Sequence, residues 1–359
     1  MFGYRFRRAP LRSSFGAAVA LLAFAAAHSA AADTTELNAL VWCDHTDPAL
    51  LEPFEEANDV KVNVKEYDGT GTALALLEQS QPGDWDVFVV DATDLARVAG
   101  LDILAPLDPA DYPWDDIPEK LRDPKLLYVN DQLYGVPEKF GYVTVAYDRS
   151  KVDPADMRDG NFLWDPKYKG RIAVYDYYLP VMGLVGLVMG KTPEQLTEAD
   201  LPALQEKLAA LKANSALVGD ITTVQTALST GEVDIIVGGG EFIVSGLSVE
   251  NPNLDWVLPS QGGIRWEQTL GIFKDSTRKD LAKKFIQYIL SPDAQAKLAT
   301  SACFWGMPVN TKATLTPEQK TILRWDEQPG FIEHSYPNPS PTVEFDKKMQ
   351  DSWADSMQR

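Results

Sequence analysis

Asp280-Leu281-Ala282-Lys283-Lys284-Phe285-Ile286-Gln287-Tyr288-Ile289-Leu290-Ser291-Pro292-Asp293-Ala294-Gln295-Ala296-Lys297-Leu298-Ala299 decides how the rest of the chain is read. Leu281, Phe285 and Ile289, with Ala282 and Ile286 beside them, recur at helical spacing and make one apolar stripe. Ser291-Pro292 stops that helix and starts a second, with Ser291 at the cap and Pro292 in the first turn. The pair follows Gly262-Gly263-Ile264-Arg265-Trp266 and precedes Gly306-Met307-Pro308-Val309-Asn310. Taken alone, it predicts two helices packed on a soluble core.

The chain opens with Arg5, Arg7, Arg8 and Arg12, an apolar run from Ala17 to Ala27, and the small residues Ser29-Ala30-Ala31-Ala32. A basic region, a short apolar core and a small-residue cleavage site predict a secretory signal peptide over residues 1–32. The apolar run is about half of what a bilayer-spanning helix needs. Arg7-Arg8 leads into Ala9-Pro10-Leu11, which fits general export better than the twin-arginine route. No later run is long enough to span, so the mature chain reads as soluble and periplasmic.

Formal charge is −19 over 359 residues, and loss of the four leader arginines takes it to about −23. That excess argues against nucleic acid and anionic membranes as partners and favours cationic ligands at long range. It equally serves solubility. About 327 mature residues remain, enough for two domains.

Leu37 to Trp42 reads as a strand, followed by a helix start at Asp44-His45-Thr46-Asp47-Pro48. Val60, Val62 and Val64 alternate with Lys61, Asn63 and Lys65, the period of a half-buried strand. A short helix over Thr72–Gln79, a strand from Trp85 to Val90 ending at Asp91, and a helix over Leu95–Ala99 follow. Gly135–Pro137 and Val143–Asp148 read as two strands leading to a second lobe. Helices over Tyr178–Met189 and Leu201–Ala213, the strand Asp234–Val237 and the return through Gly262–Ile272 complete an α/β pattern. The tail is helical over Pro317–Trp325 and Val343–Met357.

Several segments, in this order, resemble the extracytoplasmic solute-binding proteins of bacterial ABC importers. They are Leu40-Val41-Trp42-Cys43-Asp44-His45, Trp85-Asp86-Val87, Tyr134-Gly135-Val136-Pro137, Trp164-Asp165-Pro166-Lys167-Tyr168-Lys169-Gly170 and Gly262-Gly263-Ile264-Arg265-Trp266. Within that group they are most similar to the spermidine/putrescine-binding branch. The resemblance implies a two-lobed periplasmic-binding-protein type II fold with a mixed, mostly parallel sheet in each lobe. It implies lobe one over residues 33–143, lobe two over 144–268, a return to lobe one over 269–313 and a helical segment over 314–359 packing on both. Two strand crossovers would form the hinge, and the ligand would lie between the lobes. A monomer without cofactor or metal would deliver a small amine to an inner-membrane ABC permease.

Such a receptor clamps an amine between aromatic rings and pairs each ammonium with a carboxylate, because an unpaired buried charge is costly. Trp42 and Trp266 match the branch's aromatic walls. The Asp two positions after the second tryptophan is Gln268 here, with Glu267 before it. A first-lobe tyrosine is replaced by His45, a serine by Asp91, and a tryptophan by Val237. The acidic pair of the second lobe falls at Tyr177 and Pro180. Asp44, Asp91, Glu241 and Glu267 could rebuild an acidic site, with Thr93, Phe304 and Trp305 as further ligand contacts. With fewer carboxylates, the same fold would suit an amino acid or zwitterion such as a γ-amino acid.

Asp91 reads equally as the N-cap of the helix that follows, and Glu241 as a first-turn carboxylate after Gly238-Gly239-Gly240. Those glycines could receive an anion or let two backbones approach closely. Cys43 and Cys303 would share one lobe in an oxidising compartment, so a bridge and two buried thiols both stay open. Enzyme readings find little. Gly186-Leu187-Val188-Met189-Gly190-Lys191-Thr192 is one residue short of a P-loop and follows no strand. After cleavage only His45 and His334 remain, too few for a metal spacing, and a secreted α/β hydrolase would need a nucleophile–base pair that is missing. A purely sensory binding protein is the other non-catalytic reading.

Overall fold

The computed structural model describes residues 35–358, and the expected leader over residues 1–32 lies outside them. In chain order the strands are β1 (Thr35–Val41), β2 (Val60–Glu66), β3 (Val87–Asp91), the short pair β4 (Tyr128–Val129) and β5 (Gln132–Leu133), and β6 (Val136–Asp148). They continue with β7 (Ile172–Tyr175), β8 (Leu217–Gly219), β9 (Ile235–Gly239), β10 (Leu254–Val257), β11 (Gly263–Ile272), β12 (Met307–Pro308) and β13 (Ser335–Pro337). The main sheet runs β2-β1-β3-β11-β6-β9-β7-β8.

β1 is parallel to β2 and β3, and β7 is parallel to β8 and β9. Between these blocks, β11 and β6 run antiparallel to each other and to their outer neighbours. The sheet is therefore mixed, as expected. β3 is a continuous apolar run, Val87-Phe88-Val89-Val90, because both of its faces are covered and all four residues are fully buried. β2 alternates because it is the edge: Val60 and Val62 are buried while Lys61 and Asn63 are exposed.

β6 differs from the sequence reading. Two strands were expected there, and one strand of 13 residues runs through both, all of it buried. Glu138 and Lys139 look like solvent residues that interrupt an apolar pattern, yet both are fully buried and charge-paired. The strand pairs with β11 up to Val143 and with β9 from Thr144.

The opening helix spans Lys279–Ile289 and buries Ala282, Phe285, Ile286 and Ile289, with Leu281 at the margin. Pro292–Ala299 follows with Pro292 in its first turn; Ser291 takes the cap position without a side-chain bond. Gln295 does the fastening instead. Its amide donates to the Glu138 and Ile289 carbonyls at 2.8 and 3.0 Å and accepts from the Asn310 N–H at 3.1 Å.

In the tail, the first helix is shorter than expected, Pro317–Ile322, while the second runs over Val343–Trp353 and continues as a wider turn to Gln358, covering the expected span. β13, unmarked in the sequence pattern, lies parallel to β11. Residues 338–341 then lead to the last helix, whose Met349 and Trp353 are buried.

Candidate functional site

Parallel α/β sheets leave their ligand space outside the carboxyl ends of the strands, where loops replace the ladder. A cavity of about 540 Å³ lies there. Trp42 and Cys43 reach it from the end of β1, Tyr67 and Asp68 from β2, and Asp91, Thr93 and Asp94 from β3. Tyr177 and Tyr178 come from the end of β7, Phe304 from the loop before β12. Asn338, Ser340 and Asp346 close it from the tail. The lining holds five aromatic rings and four carboxylates (Asp68, Asp91, Asp94, Asp346), and no Lys, Arg or His side chain.

The carboxylates differ in freedom. Asp346 accepts from Tyr178 Oη at 2.6 Å and from Gln350 at 2.9 Å, and Asp94 pairs with Arg97 at 2.9 Å. Asp91 has no cationic partner among the described residues. It caps the helix Ala92–Gly100, one oxygen accepting the Thr93 N–H at 2.8 Å and the Thr93 hydroxyl at 2.6 Å. Burial outweighs those bonds and pushes its pKa up to about 6, with Asp94 adding to the rise.

A disulfide joins Cys43 to Cys303 across 260 residues, with Cα atoms 5.9 Å apart. It ties the loop bearing Trp42 to the loop bearing Phe304. Under these loops lies a fully buried charge cluster of Asp44, His45, Glu138 and Lys139. His45 stands between two carboxylates, Nδ1 at 2.8 Å from Asp44 and Nε2 at 2.9 Å from Glu138, and donates from both nitrogens when both carboxylates are ionised. Burial alone would lower its pKa, but Glu138 and Asp44 prevail and raise it to about 10. Burial likewise works against ionised Asp44, and Lys139 and His45 overcome it, holding that carboxyl well below its ordinary range. Lys139 donates to Asp44 at 2.9 Å and to the Phe304 carbonyl at 3.0 Å.

Of the residues expected from sequence, the structure brings Trp42, Asp91, Thr93, Tyr177 and Phe304 to the cavity, with Cys43. Asp44, His45, Glu241, Trp266, Glu267, Gln268 and Trp305 do not line it. Asp44 and His45 are spent on the buried cluster. Glu241 turns back to accept the Tyr142 N–H at 3.0 Å, and burial pushes its pKa up to about 8. Glu267 pairs with Arg265 at 2.6 Å inside β11. Gln268 is buried beside it, and Trp266 supports the Phe304 ring edge-on at 5.8 Å. Trp305 is half-buried in the adjoining core. The glycines before Glu241 serve close approach, since a Cβ at Gly240 would lie 2.0 Å from the Tyr142 carbonyl oxygen.

Sequence reasoning missed Tyr67, Asp68 and Asp94, although the carboxyl-end rule applied to β2 and β3 points at all three. The tail residues carried no local signal.

The cluster makes a testable contribution to stability. For His45, protonated folded and less so unfolded, the gain is complete below pH 6.5 and lost as pH rises through about 10. Glu241, raised to about 8, adds to the same decline because its ionisation is disfavoured only in the folded state. Lys139 works in the opposite sense, because burial lowers its pKa, so the test is comparative: melting temperature is expected to fall more between pH 6.5 and 10 in the wild type than in His45→Gln. Equal pH dependence in the two proteins would contradict the assignment.

The chain matches the family described as bacterial extracellular solute-binding protein over residues 49–327. It is 26% identical over 320 residues to the spermidine/putrescine-binding periplasmic protein of Escherichia coli K12, covering 86% of this chain and 87% of that one. It is also 26% identical over 275 residues to iron uptake protein A2 of Synechocystis, covering 71% and 72%. Among solved structures, the spermidine/putrescine ABC transporter substrate-binding protein PotD of Streptococcus pneumoniae superposes with a TM-score of 0.76 at 21% identity. That match covers 89% of this chain and 98% of the other.

Proposed function

We propose, for a chain that belongs to the bacterial extracellular solute-binding proteins, that its cavity captures an organic amine for import, with putrescine and spermidine the first candidates. Membership makes the chain the binding component of an ABC transporter and not an enzyme; a small-molecule ligand and a membrane permease follow from that role. The observation that carries the amine is the lining itself. Five aromatic rings and four carboxylates surround the space with no cationic side chain among them. An ammonium leaving water needs a carboxylate, its methylene stem gains from apolar walls, and each ring face attracts the charge by about 0.5–2 kcal/mol.

A zwitterion such as a γ-amino acid suits this lining less well, since its carboxylate would find hydroxyl and amide donors such as Thr70, Asn338 and Ser340 but no cationic side chain, among four carboxylates. We place the mature protein in the periplasm. Its lobes would close over the ligand about boundaries near residues 143 and 268; the change of partner along β6 after Val143 supports the first of these.

A thermal-shift panel of putrescine, spermidine, γ-aminobutyrate and betaine tests the reading. An amine binding only the folded state, at a hundred times its Kd, is expected to add about 2.7 kcal/mol of stability. Shifts with γ-aminobutyrate alone, or with no amine, would overturn it.

A further inference from the structure

The four carboxylates of the lining are not equally available. Asp94 is paired with Arg97, and both oxygens of Asp346 accept hydrogen bonds, from Tyr178 and from Gln350. Asp91 and Asp68 remain. Asp68 immediately precedes the helix Gly69–Leu77 yet does not cap it, and among the described residues no donor or cation stands on its carboxylate. Elsewhere in this chain Asp47, Asp123 and Asp220 hold the same position and each accepts an N–H from the helix it precedes.

The sheet sets how far apart the two free carboxylates stand. Val41 of β1 is in register with Glu66 of β2, and Leu40 with Phe88 of β3. Carried onward, these registers put Cys43 level with Asp68 on one side and with Asp91 on the other. The Tyr67 N–H still bonds the Val41 carbonyl, at 3.1 Å, so β2 holds its course past its last ladder residue. Two strand spacings, about 10 Å, separate the two aspartate backbones. What lies between them is apolar. Cys43 is bound in the disulfide, and the buried Tyr67 ring reaches across β1 to set its hydroxyl on the Val89 carbonyl of β3.

The row therefore reads carboxylate, apolar floor, carboxylate, and its complement is ammonium, methylenes, ammonium. Four methylenes hold two nitrogens about 6 Å apart, across bonds of about 1.5 Å in zigzag. A charge-assisted hydrogen bond of about 2.8 Å at each end extends the span to about 12 Å between accepting oxygens. Side chains leaning slightly apart from backbones about 10 Å apart meet that span.

We propose that Asp68 determines specificity: it receives the second ammonium of a diamine whose first is held by Asp91, so the site selects a diamine with a spacer of about four carbons over a monoamine of equal length. Putrescine is such a diamine, and the butyl arm of spermidine carries the same spacing. This rests on the amine reading of the cavity and narrows it. Asp91, half-buried, serves any amine; Asp68, exposed at the far end of the row, discriminates between them.

Calorimetric titration of the mature protein with putrescine and its isostere n-pentylamine, in which a methyl group replaces one ammonium, tests it. The wild type is expected to bind putrescine about fivefold or more tightly than n-pentylamine. Asp68→Asn alters an exposed side chain that caps nothing, so the fold is not at stake. It should weaken putrescine by that same factor and leave n-pentylamine unchanged, whereas Asp91→Asn weakens both. A wild type that binds the two amines alike overturns the proposal and leaves the amine reading standing. So does an Asp68→Asn protein that holds putrescine as before, or that loses both amines equally. Binding of neither amine by the wild type overturns both.

Discussion

Asp91→Asn is expected to weaken amine binding about thirtyfold or more, the effect of removing one partner from a buried charge pair, about 2–5 kcal/mol. The substitution separates binding from folding. Asparagine caps a helix about as well as aspartate, so the bond from the Thr93 N–H can persist and the helix Ala92–Gly100 keeps its start. What disappears is the charge. Melting temperature without ligand should change little while affinity measured by calorimetry collapses.

The same residue sets a pH dependence. The free carboxyl titrates near pH 6, and only its ionised form can pair with an ammonium. Affinity should therefore be flat above that value and fall about tenfold per unit well below it, with a proton released on binding in the acidic range. Asp91→Asn should abolish the dependence along with the affinity. An Asp91→Asn protein that binds the amine as the wild type does, with the same pH profile, would remove Asp91 from the site.

Breaking the disulfide is the second large effect. Cys43 and Cys303 close a loop of most of the mature chain, and a cross-link of that span restricts the unfolded ensemble strongly. Its removal is expected to cost about 2–5 kcal/mol, and to lower the melting temperature by about 3–7 °C for a chain of this length. The double variant Cys43→Ser with Cys303→Ser, scanned calorimetrically beside the oxidised and reduced wild type, measures it. Serine at both positions avoids a stray thiol. Because the bridged loops also carry Trp42 and Phe304, ligand dissociation should quicken in the same variant. A wild type equally stable with and without reductant would show that the charge cluster beneath holds these loops unaided.

Much of the architecture is legible along the chain because it follows from local periodicity. The stripe of Phe285, Ile286 and Ile289 could only face a core, and the alternation of β2 could only belong to a strand with one open face. Reading failed where a residue's type and its environment disagree. Glu138 and Lys139 divided one strand into two because charged side chains signal solvent, whereas these two find each other's partners, His45 and Asp44, more than ninety residues away in the chain.

The candidate site divides along the same line. Residues at strand ends, such as Trp42, Asp91 and Tyr177, could be named from sequence, since a parallel sheet exposes its carboxyl ends whatever the details of packing. Glu241 and Glu267 were equally acidic and equally close to strands, yet each is consumed by a buried partner, Tyr142 or Arg265. Sequence by itself determined the α/β class, the helix pair and the strand-end loops, because hydrophobic period and turn chemistry act over a few residues. Only the tertiary structure decided which carboxylates stay free for a ligand, since a charge deep in a protein is defined by what stands within about 4 Å of it, and those neighbours come from everywhere in the chain.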